Sequence, residues 1–178
     1  MTNRVLALIL GTALMAPGLA VAQDDQIKRG EYLVTIGGCH DCHTPLMMGA
    51  NGPEPDMTRA LSGHPQDFPV TGPVALAEPW MAATTPTLTA WSGPWGVSFS
   101  ANLTSDEKTG VLRDFTGEQF IQTMRTGRHL GQGRQILPPM PWQGIGKMTD
   151  DDLKALFAYL RQVPALENKV PEPIPPAQ

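Results

Sequence analysis

The sequence is poor in the residues that build a large core or bind a polyanion. Only two of its 178 residues are cysteines, and 6% are aromatic. Its 13 basic and 17 acidic residues give a net charge of −4, and the basic residues form no cluster, which argues against a nucleic acid as partner. Glycine and proline number 18 each. This composition predicts much irregular chain around a few helices, and a thin core of this kind benefits from a bulky apolar ligand.

A long apolar run occurs at the N-terminus. Arg4 precedes apolar residues 5–15, and a Pro-Gly pair and an A-x-A sequence ending at Ala22 follow. This order is typical of a secretory signal peptide over residues 1–22. The run is short for a bilayer span, although an uncleaved N-terminal anchor stays an alternative. We predict an exported chain in which residues 23–178 form one domain, with no transmembrane segment after the signal peptide is removed.

Helix signals occur near the start, in the middle and near the end of the chain. Acidic residues at the start and a Gly-Gly stop predict a first helix from Asp24 to Ile36. A capping box between Thr116 and Gln119 predicts a second helix, which ends at Gly127.

The third helix has the clearest pattern. Thr149 is its expected N-cap, and three aspartates follow in the turn where negative charge is favourable. An apolar stripe at helical spacing runs along the helix until Pro164 stops it. The stripe consists of Leu153, Leu156, Phe157 and Leu160.

Two other regions show no helical or strand period and are rich in proline. We predict a long loop over residues 45–100 and an extended tail over residues 164–178.

Both cysteines belong to one C-x-x-C-H motif, formed by Cys39, Cys42 and His43. Two thiols at this spacing suit the two vinyl groups of a porphyrin, and the adjacent imidazole reaches the iron from the same side. We therefore predict one covalently attached haem c, with Cys39 and Cys42 as thioether anchors and His43 as the proximal iron ligand. Export agrees with this prediction, since bacteria attach c-type haem outside the cytoplasm.

Two other chemistries use a C-x-x-C pair. A redox disulfide of the thioredoxin kind lies in a βαβ pattern, and no such pattern surrounds this motif. A structural zinc site needs a fourth ligand, which His64 or His129 would have to provide without a second C-x-x-C or an H-x3-H. Haem attachment accounts for all three residues of the motif and is the favoured interpretation.

The iron of an electron carrier usually has a second axial ligand, and a methionine thioether raises the reduction potential. Met140 is our candidate because prolines precede and follow it and restrict the backbone around it. Met124 falls on the inner face of the second helix, and Met148 is a staple residue before the third. His64 and His129 are rival ligands, and either would give a bis-histidine haem of lower potential.

A haem also carries two propionates, whose burial without partners is costly. Arg125 and Arg128, together with Arg134, lie between the second helix and Met140 and are candidates to pair with the propionates. Trp142 is a candidate to donate its indole N–H to a propionate or to pack against the ring edge.

These features resemble a known family. A C-x-x-C-H after a short helix, a methionine nearer the C-terminus and a terminal amphipathic helix are similar to class I cytochromes c. Further segments resemble the haem domains of cytochrome c subunits that serve periplasmic alcohol, aldehyde and sugar dehydrogenases. These segments are Ala101-Asn102-Leu103-Thr104-Ser105-Asp106, Thr109-Gly110, Arg125-Thr126-Gly127-Arg128, Pro139-Met140-Pro141-Trp142, Asp151-Asp152-Leu153 and Ala158-Tyr159-Leu160.

The resemblance implies an all-α class I cytochrome c fold, with three or more helices around one haem. It also implies that His43 and Met140 are the axial ligands, and that the first and last helices cross near Gly30 and Tyr159. Subunits of this kind often carry several C-x-x-C-H sites, whereas this chain has one. Its segment between His43 and Asn102 is also longer than usual.

The sequence thus predicts a periplasmic monohaem cytochrome c that is an electron carrier and not an enzyme. It would move single electrons by Fe(III)/Fe(II) cycling between a donor, such as a dehydrogenase, and an acceptor, such as an oxidase or another cytochrome. One alternative is a haem enzyme, or a sensor of a gas or peroxide, with an open sixth position on the iron. A further interpretation is a subunit of a larger oxidoreductase that docks through the segment 45–100.

Overall fold

The structure, a computed structural model, describes residues 17–176. Within this range there are five α-helices, two short 3-10 turns and two small antiparallel sheets. The helices are α1 (Pro17–Ile36), α2 (Cys39–His43), α3 (Gly117–Thr126), α4 (Trp142–Ile145) and α5 (Asp150–Leu160), and the 3-10 turns are Met57–Arg59 and His129–Gly131. The strands are β1 (Leu46–Gly49), β2 (Gly52–Pro55), β3 (Ala83–Thr84), β4 (Ala90–Gly93) and β5 (Gly96–Phe99).

The first helix is longer than predicted. It begins at Pro17 instead of Asp24 and continues to Ile36, where Gly38 in a left-handed conformation (φ 65°) separates it from α2. Most of the predicted signal peptide, residues 1–16, lies outside the described residues, so that interpretation stays a prediction. No helix of residues 17–176 is both long enough and apolar enough to cross a bilayer.

The hydrophobic core lies where α1, α3 and α5 pack together. Gly30 allows the close approach of α1 and α5, because a Cβ at this position would collide with the backbone oxygen of Ala155 and lie 2.6 Å from Cβ of Tyr159. This confirms the predicted crossing near Gly30 and Tyr159. The buried core consists of Leu33, Val34, Leu61, Leu112, Phe115, Phe120, Ile121, Met124, Leu153, Ala155, Leu156, Leu160 and Val163.

The predicted caps are present. Thr116 Oγ1 accepts a hydrogen bond from the backbone N–H of Gln119 at 3.2 Å, and Gln119 Oε1 accepts one from the N–H of Thr116 at 2.9 Å. Thr149 Oγ1 likewise accepts from the N–H of Asp152 at 3.1 Å. These local bonds satisfy donors at the first turn of each helix, which has no intrahelical partners for them. The predicted second and third helices, which are α3 and α5 in the structure, therefore begin where the sequence predicted.

The all-α prediction is wrong, because segment 45–100 is not a structureless loop. It contains all five strands, paired in the orders β1-β2 and β3-β4-β5. The strands span two to four residues each, too short for an alternating pattern to show in the sequence. The hairpin of β4 and β5 pairs Gly93 with Gly96 around a two-residue turn, Pro94-Trp95. The fold is therefore mixed, with three packed helices and two small sheets.

The proline-rich tail has no regular secondary structure over residues 164–173, and it is anchored at several points. Ile174 exchanges two backbone hydrogen bonds with Val97 of β5, at 2.8 and 3.0 Å. Asn168 is 1% exposed, and its side-chain Nδ2 donates to the backbone oxygens of Ser62 at 2.7 Å and His64 at 2.9 Å. The tail thus closes over the segment that contains the sheets and holds β5 from its second edge.

Candidate haem-attachment site

The C-x-x-C-H motif forms a one-turn helix, α2, directly after the last turn of α1. Gly38 changes the direction of the chain between the two helices through its left-handed backbone. This conformation is strained for a residue with a side chain, which favours glycine here. At the other end of α2, the backbone N–H of Gly63 donates to the carbonyl oxygen of His43 at 2.8 Å. Thr44, which is fully buried, accepts a bond from the N–H of Leu61 at 3.0 Å. Segment 61–63 therefore holds the C-terminal end of the motif.

His43 is oriented by a backbone carbonyl. His43 is 8% exposed, and its Nδ1 lies 2.8 Å from the oxygen of Ala101. A carbonyl oxygen only accepts, so Nδ1 carries the hydrogen and Nε2 has the free lone pair. Burial lowers the pKa of His43, which keeps the ring neutral. In the described part of the chain no hydrogen bond engages Nε2. A hydrogen bond from one ring nitrogen to a backbone carbonyl is typical of a histidine whose other nitrogen ligates a metal.

The two cysteines are free thiols on the same turn, and both are half-buried. Burial raises the pKa of Cys39 to about 11 and also raises the pKa of Cys42. Cysteines of thioredoxin-like redox motifs have a lowered pKa, so this environment is unlike theirs. Two protonated, unpaired thiols beside a neutral, oriented imidazole fit the requirements of covalent haem attachment.

The two residues that follow β5 form hydrogen bonds to the C-x-x-C-H motif. Ser100, the residue after β5, donates from Oγ to the carbonyl oxygen of Cys42 at 2.5 Å. The next residue, Ala101, provides the acceptor for His43. Two successive residues of one extended segment therefore fix the backbone of Cys42 and the ring of His43.

Met140 lies in a separate loop that is bonded to the same strand. The hydroxyl of Ser98 donates to the carbonyl oxygen of Pro138, and the Pro138–Pro139 peptide bond is cis. Met140 is half-buried and lines a cleft of about 280 Å³. The other lining residues are Gln135, Ile136, Pro138, Pro139, Pro141, Trp142 and Gln143. Met140 thus stands beside an open space, and its role as an iron ligand stays a prediction.

The predicted propionate partners Arg125 and Arg128 lie at and just after the C-terminal end of α3. Arg125 forms an ion pair with Asp150, with Nη2 at 2.5 Å from Oδ1, and it also donates to the carbonyl oxygen of Gly146. Arg128 donates from Nη1 to the oxygen of Gly133 at 3.1 Å. Both guanidinium groups therefore already have protein partners, and their contact with propionates stays a prediction.

Trp142 begins α4 and packs against the C-terminal end of α3. A Cβ on Gly127 would lie only 2.5 Å from Cζ2 of the indole ring. Gly127 has a left-handed backbone (φ 65°), so this position demands glycine for both reasons. The structure thus assigns Trp142 a packing role beside Met140, while its predicted bond to a propionate stays untested.

The rival histidine ligands are placed differently from each other. His64 is completely buried, and both ring nitrogens are bonded: Nδ1 to Thr89 Oγ1 at 2.9 Å and Nε2 to the oxygen of Phe68 at 2.8 Å. It therefore acts as a structural residue. His129 is half-buried and stacks edge-on against Phe115, with ring centroids 5.1 Å apart. Among residues 17–176, no group of three or more His, Cys, Asp and Glu side chains is arranged to hold a bare metal ion.

The residues that position the site were not predicted from the sequence. Ser98 and Ser100 lie at the end of a strand that was predicted to be loop, and Thr44 was not singled out. A usable signal was present: Gly-Pro-Trp-Gly at residues 93–96 is a turn sequence between two short segments with alternating polar residues. Recognising this hairpin would have placed both serines on one strand that leads to Ala101.

Comparisons with known proteins agree with these features. The chain is 28% identical to a cytochrome c subunit of quinone-dependent alcohol dehydrogenase from Gluconobacter oxydans, over 94% of this chain and 29% of that protein. It is 31% identical to the gluconate 2-dehydrogenase cytochrome c subunit of Pantoea cypripedii, over 89% of this chain and 28% of the relative. It is 29% identical to the fructose dehydrogenase cytochrome subunit of Gluconobacter japonicus, over 86% of this chain and 25% of that protein.

This chain is a relative of cytochrome c subunits. The relatives are named as the cytochrome subunits of dehydrogenases, which agrees with the prediction of an electron carrier instead of an enzyme. The chain spans between 25% and 29% of the length of these three relatives. No protein-family model matches it.

Proposed function

We propose that this chain is a periplasmic monohaem c-type cytochrome that carries single electrons between a dehydrogenase and a downstream acceptor. The observation that carries the proposal is the state of His43, whose Nδ1–H is donated to Ala101 while Nε2 keeps its lone pair. Beside it are two free, half-buried thiols at the spacing of a C-x-x-C-H motif. A haem bound there supplies an iron that changes between Fe(III) and Fe(II).

Each cysteine has one task in this proposal. Cys39 and Cys42 would hold the haem through thioether bonds to its two vinyl groups, and each thiol would supply both the sulfur and the hydrogen, so no oxidant would be needed. The attachment would hold the haem at α2, whose position is set by Gly38 and by the bond from Ser100 to Cys42. Retention of the cofactor then depends on covalent bonds instead of on a large apolar core.

His43 and Met140 set the properties of the iron. The bond to Ala101 holds the imidazole in one orientation and makes Nε2 a better electron donor. Met140 would contribute a thioether ligand, which would favour the ferrous state and raise the potential. The prolines around Met140 reduce the freedom of its loop, so a weak ligand is held near its bonding position.

The relatives support a dehydrogenase as the electron donor. Three of them are cytochrome subunits of alcohol, gluconate and fructose dehydrogenases. Since the alignments cover 86% to 94% of this chain, the similarity extends well beyond the C-x-x-C-H motif. The predicted leader over residues 1–22 supports the periplasm as the compartment.

Spectroscopy of exported, matured protein tests the proposal. The ferric wild type should show a weak far-red charge-transfer band of methionine ligation, and the ferrous form should resist carbon monoxide. Ascorbate should reduce the protein and ferricyanide should reoxidise it reversibly. The variant Met140→Ala should lose the band and bind carbon monoxide, while Met48→Ala should keep both properties because Met48 is 75% exposed on β1.

A high-spin ferric wild type that binds carbon monoxide at once when reduced would contradict the carrier proposal. It would instead support a haem enzyme or sensor with an open sixth position. Equal behaviour of Met140→Ala and the wild type would remove Met140 as the ligand and leave haem attachment untouched.

A further inference from the structure

We propose that Ser98 is a positioning residue for Met140, and that the segment from Ser98 to Ala101 sets the separation of His43 and Met140. This inference rests on the proposed function. The segment is bonded at one end to the loop that contains Met140 and at the other end to the C-x-x-C-H motif.

The hydroxyl of Ser98 is committed to the Met140 loop. Two carbonyl oxygens lie within reach of Oγ, and that of Pro138 is much closer than that of Trp91 at 3.5 Å, so the single hydroxyl hydrogen is donated to Pro138. Oγ also accepts the indole N–H of Trp95 at 3.2 Å. Ser98 is 6% exposed, so the carbonyl of Pro138 would find little water to replace the hydroxyl. Only one residue, Pro139, separates this carbonyl from Met140.

The other end of the segment fixes the proximal side. Ser100 Oγ holds the carbonyl oxygen of Cys42 at 2.5 Å, and Ala101 O holds Nδ1 of His43 at 2.8 Å. In extended chain each residue advances about 3.3 Å, so Ser98 and Ala101 lie about 10 Å apart along the backbone. Bonds from both ligand-bearing segments thus converge on four consecutive residues.

The segment is rigid enough to act as a spacer. Its strand, β5, pairs with β4 on one edge, where Trp91 lies opposite Ser98. On the other edge Val97 exchanges two backbone hydrogen bonds with Ile174 of the tail. Ser100 continues the pairing through its N–H, which donates to the oxygen of Thr89 at 2.9 Å. A strand paired on both edges transmits the position of one end to the other with little freedom.

Removal of the hydroxyl should therefore loosen Met140 without unfolding the protein. In Ser98→Ala we expect the far-red band to weaken, the reduction potential to fall and carbon monoxide to bind the ferrous form about tenfold more readily, as for the loss of one buried hydrogen bond. Ser98→Thr keeps a hydroxyl and should restore the band.

Ser92→Ala is the matched control. Ser92 lies on β4 of the same sheet and is also 6% exposed, but its Oγ accepts the N–H of Val74 at 2.8 Å and has no bond to the Met140 loop. Ser92→Ala should lower the melting temperature by a similar amount and leave the band, the potential and carbon monoxide binding as in the wild type.

The outcomes separate this inference from the proposed function. A wild type without covalent haem or without the far-red band would overturn the proposed function. If the wild type behaves as proposed, but Ser98→Ala and Ser92→Ala show the same far-red band and the same carbon monoxide binding, only the role of Ser98 is overturned. If Ser98→Ala does not yield folded protein, Trp95→Phe removes the N–H that orients the hydroxyl and should weaken the band to a smaller degree. An unchanged band in that variant would equally contradict the inference.

Discussion

Gly30 of α1 lies directly against Tyr159 of α5, and a Cβ on Gly30 would be 2.6 Å from Cβ of Tyr159. The same Cβ would also collide with the backbone oxygen of Ala155, which has no alternative position within the helix. The crossing of α1 and α5 therefore depends on the absence of a side chain at residue 30. Since α1 leads directly into the C-x-x-C-H motif, this crossing also determines the position of Cys39 and of the motif.

Gly30→Ala should destabilise the protein by about 2 kcal/mol, because the two helices must move apart. The measurement is the free energy of unfolding from chemical denaturation. The control is Gly144→Ala on α4, where a Cβ meets no atom within 4 Å. That change should be neutral or stabilise by up to about 1 kcal/mol, since alanine limits the unfolded chain. Equal effects of the two substitutions would contradict the close crossing.

The elements with local signals were predictable from the sequence, and those stabilised by distant partners were not. Thr116 and Thr149 bond to residues three positions away, so the starts of α3 and α5 are visible in the sequence itself. β5 is paired with β4 on one side and with Ile174, far along the chain, on the other. No short window of sequence contains that information, and the segment 45–100 was therefore predicted to be loop.

In the candidate site, too, residues close together in the sequence were predictable, and contacts between distant residues were not. Cys39, Cys42 and His43 are adjacent in the chain, so their chemistry was readable from spacing alone. The acceptor for His43 lies 58 positions away at Ala101, and the link from Ser98 to Pro138 spans 40 positions. Arg125 was predicted as a propionate partner from charge and position, but charge alone did not reveal its ion pair with Asp150.

Asn168 should be a strong determinant of stability. Its side chain donates to the backbone oxygens of Ser62 and His64 in a buried setting, and it accepts the N–H of Gln66 at 2.9 Å in a part-buried one. Asn168→Ala leaves these groups without partners and should cost about 2–4 kcal/mol in the free energy of unfolding. Lys169→Ala, at the exposed next residue, should change it by less than about 0.5 kcal/mol. A loss below about 1 kcal/mol for Asn168→Ala would show that the tail is not anchored there.

His64 should make stability depend on pH. Burial lowers its pKa below the ordinary 6.5, and Arg59 adds to this effect, while the bond to Phe68 and the charge of Asp67 oppose it. The unfolded chain therefore takes up a proton near pH 6.5 that the folded chain excludes. Stability is fully present above that pH and falls as the pH decreases below it.

The slope from this residue is at most about 1.4 kcal/mol per pH unit. Denaturation curves at pH 8 and pH 5 should show a smaller loss of stability on acidification in His64→Gln than in the wild type. Part of the loss should remain, because burial also lowers the pKa of His129. The same pH dependence in both proteins would contradict a neutral, buried His64.

The central claim is that Cys39 and Cys42 bind haem covalently beside His43, and mass measurement after denaturation tests it most directly. Exported and matured wild type should be coloured, give the pyridine spectrum of haem c, and keep the mass of one haem on the denatured polypeptide. Cys39→Ser and Cys42→Ser should each retain at most one thioether bond, and the double variant should release all haem. A matured wild type that is colourless and has the mass of the bare polypeptide would contradict the account.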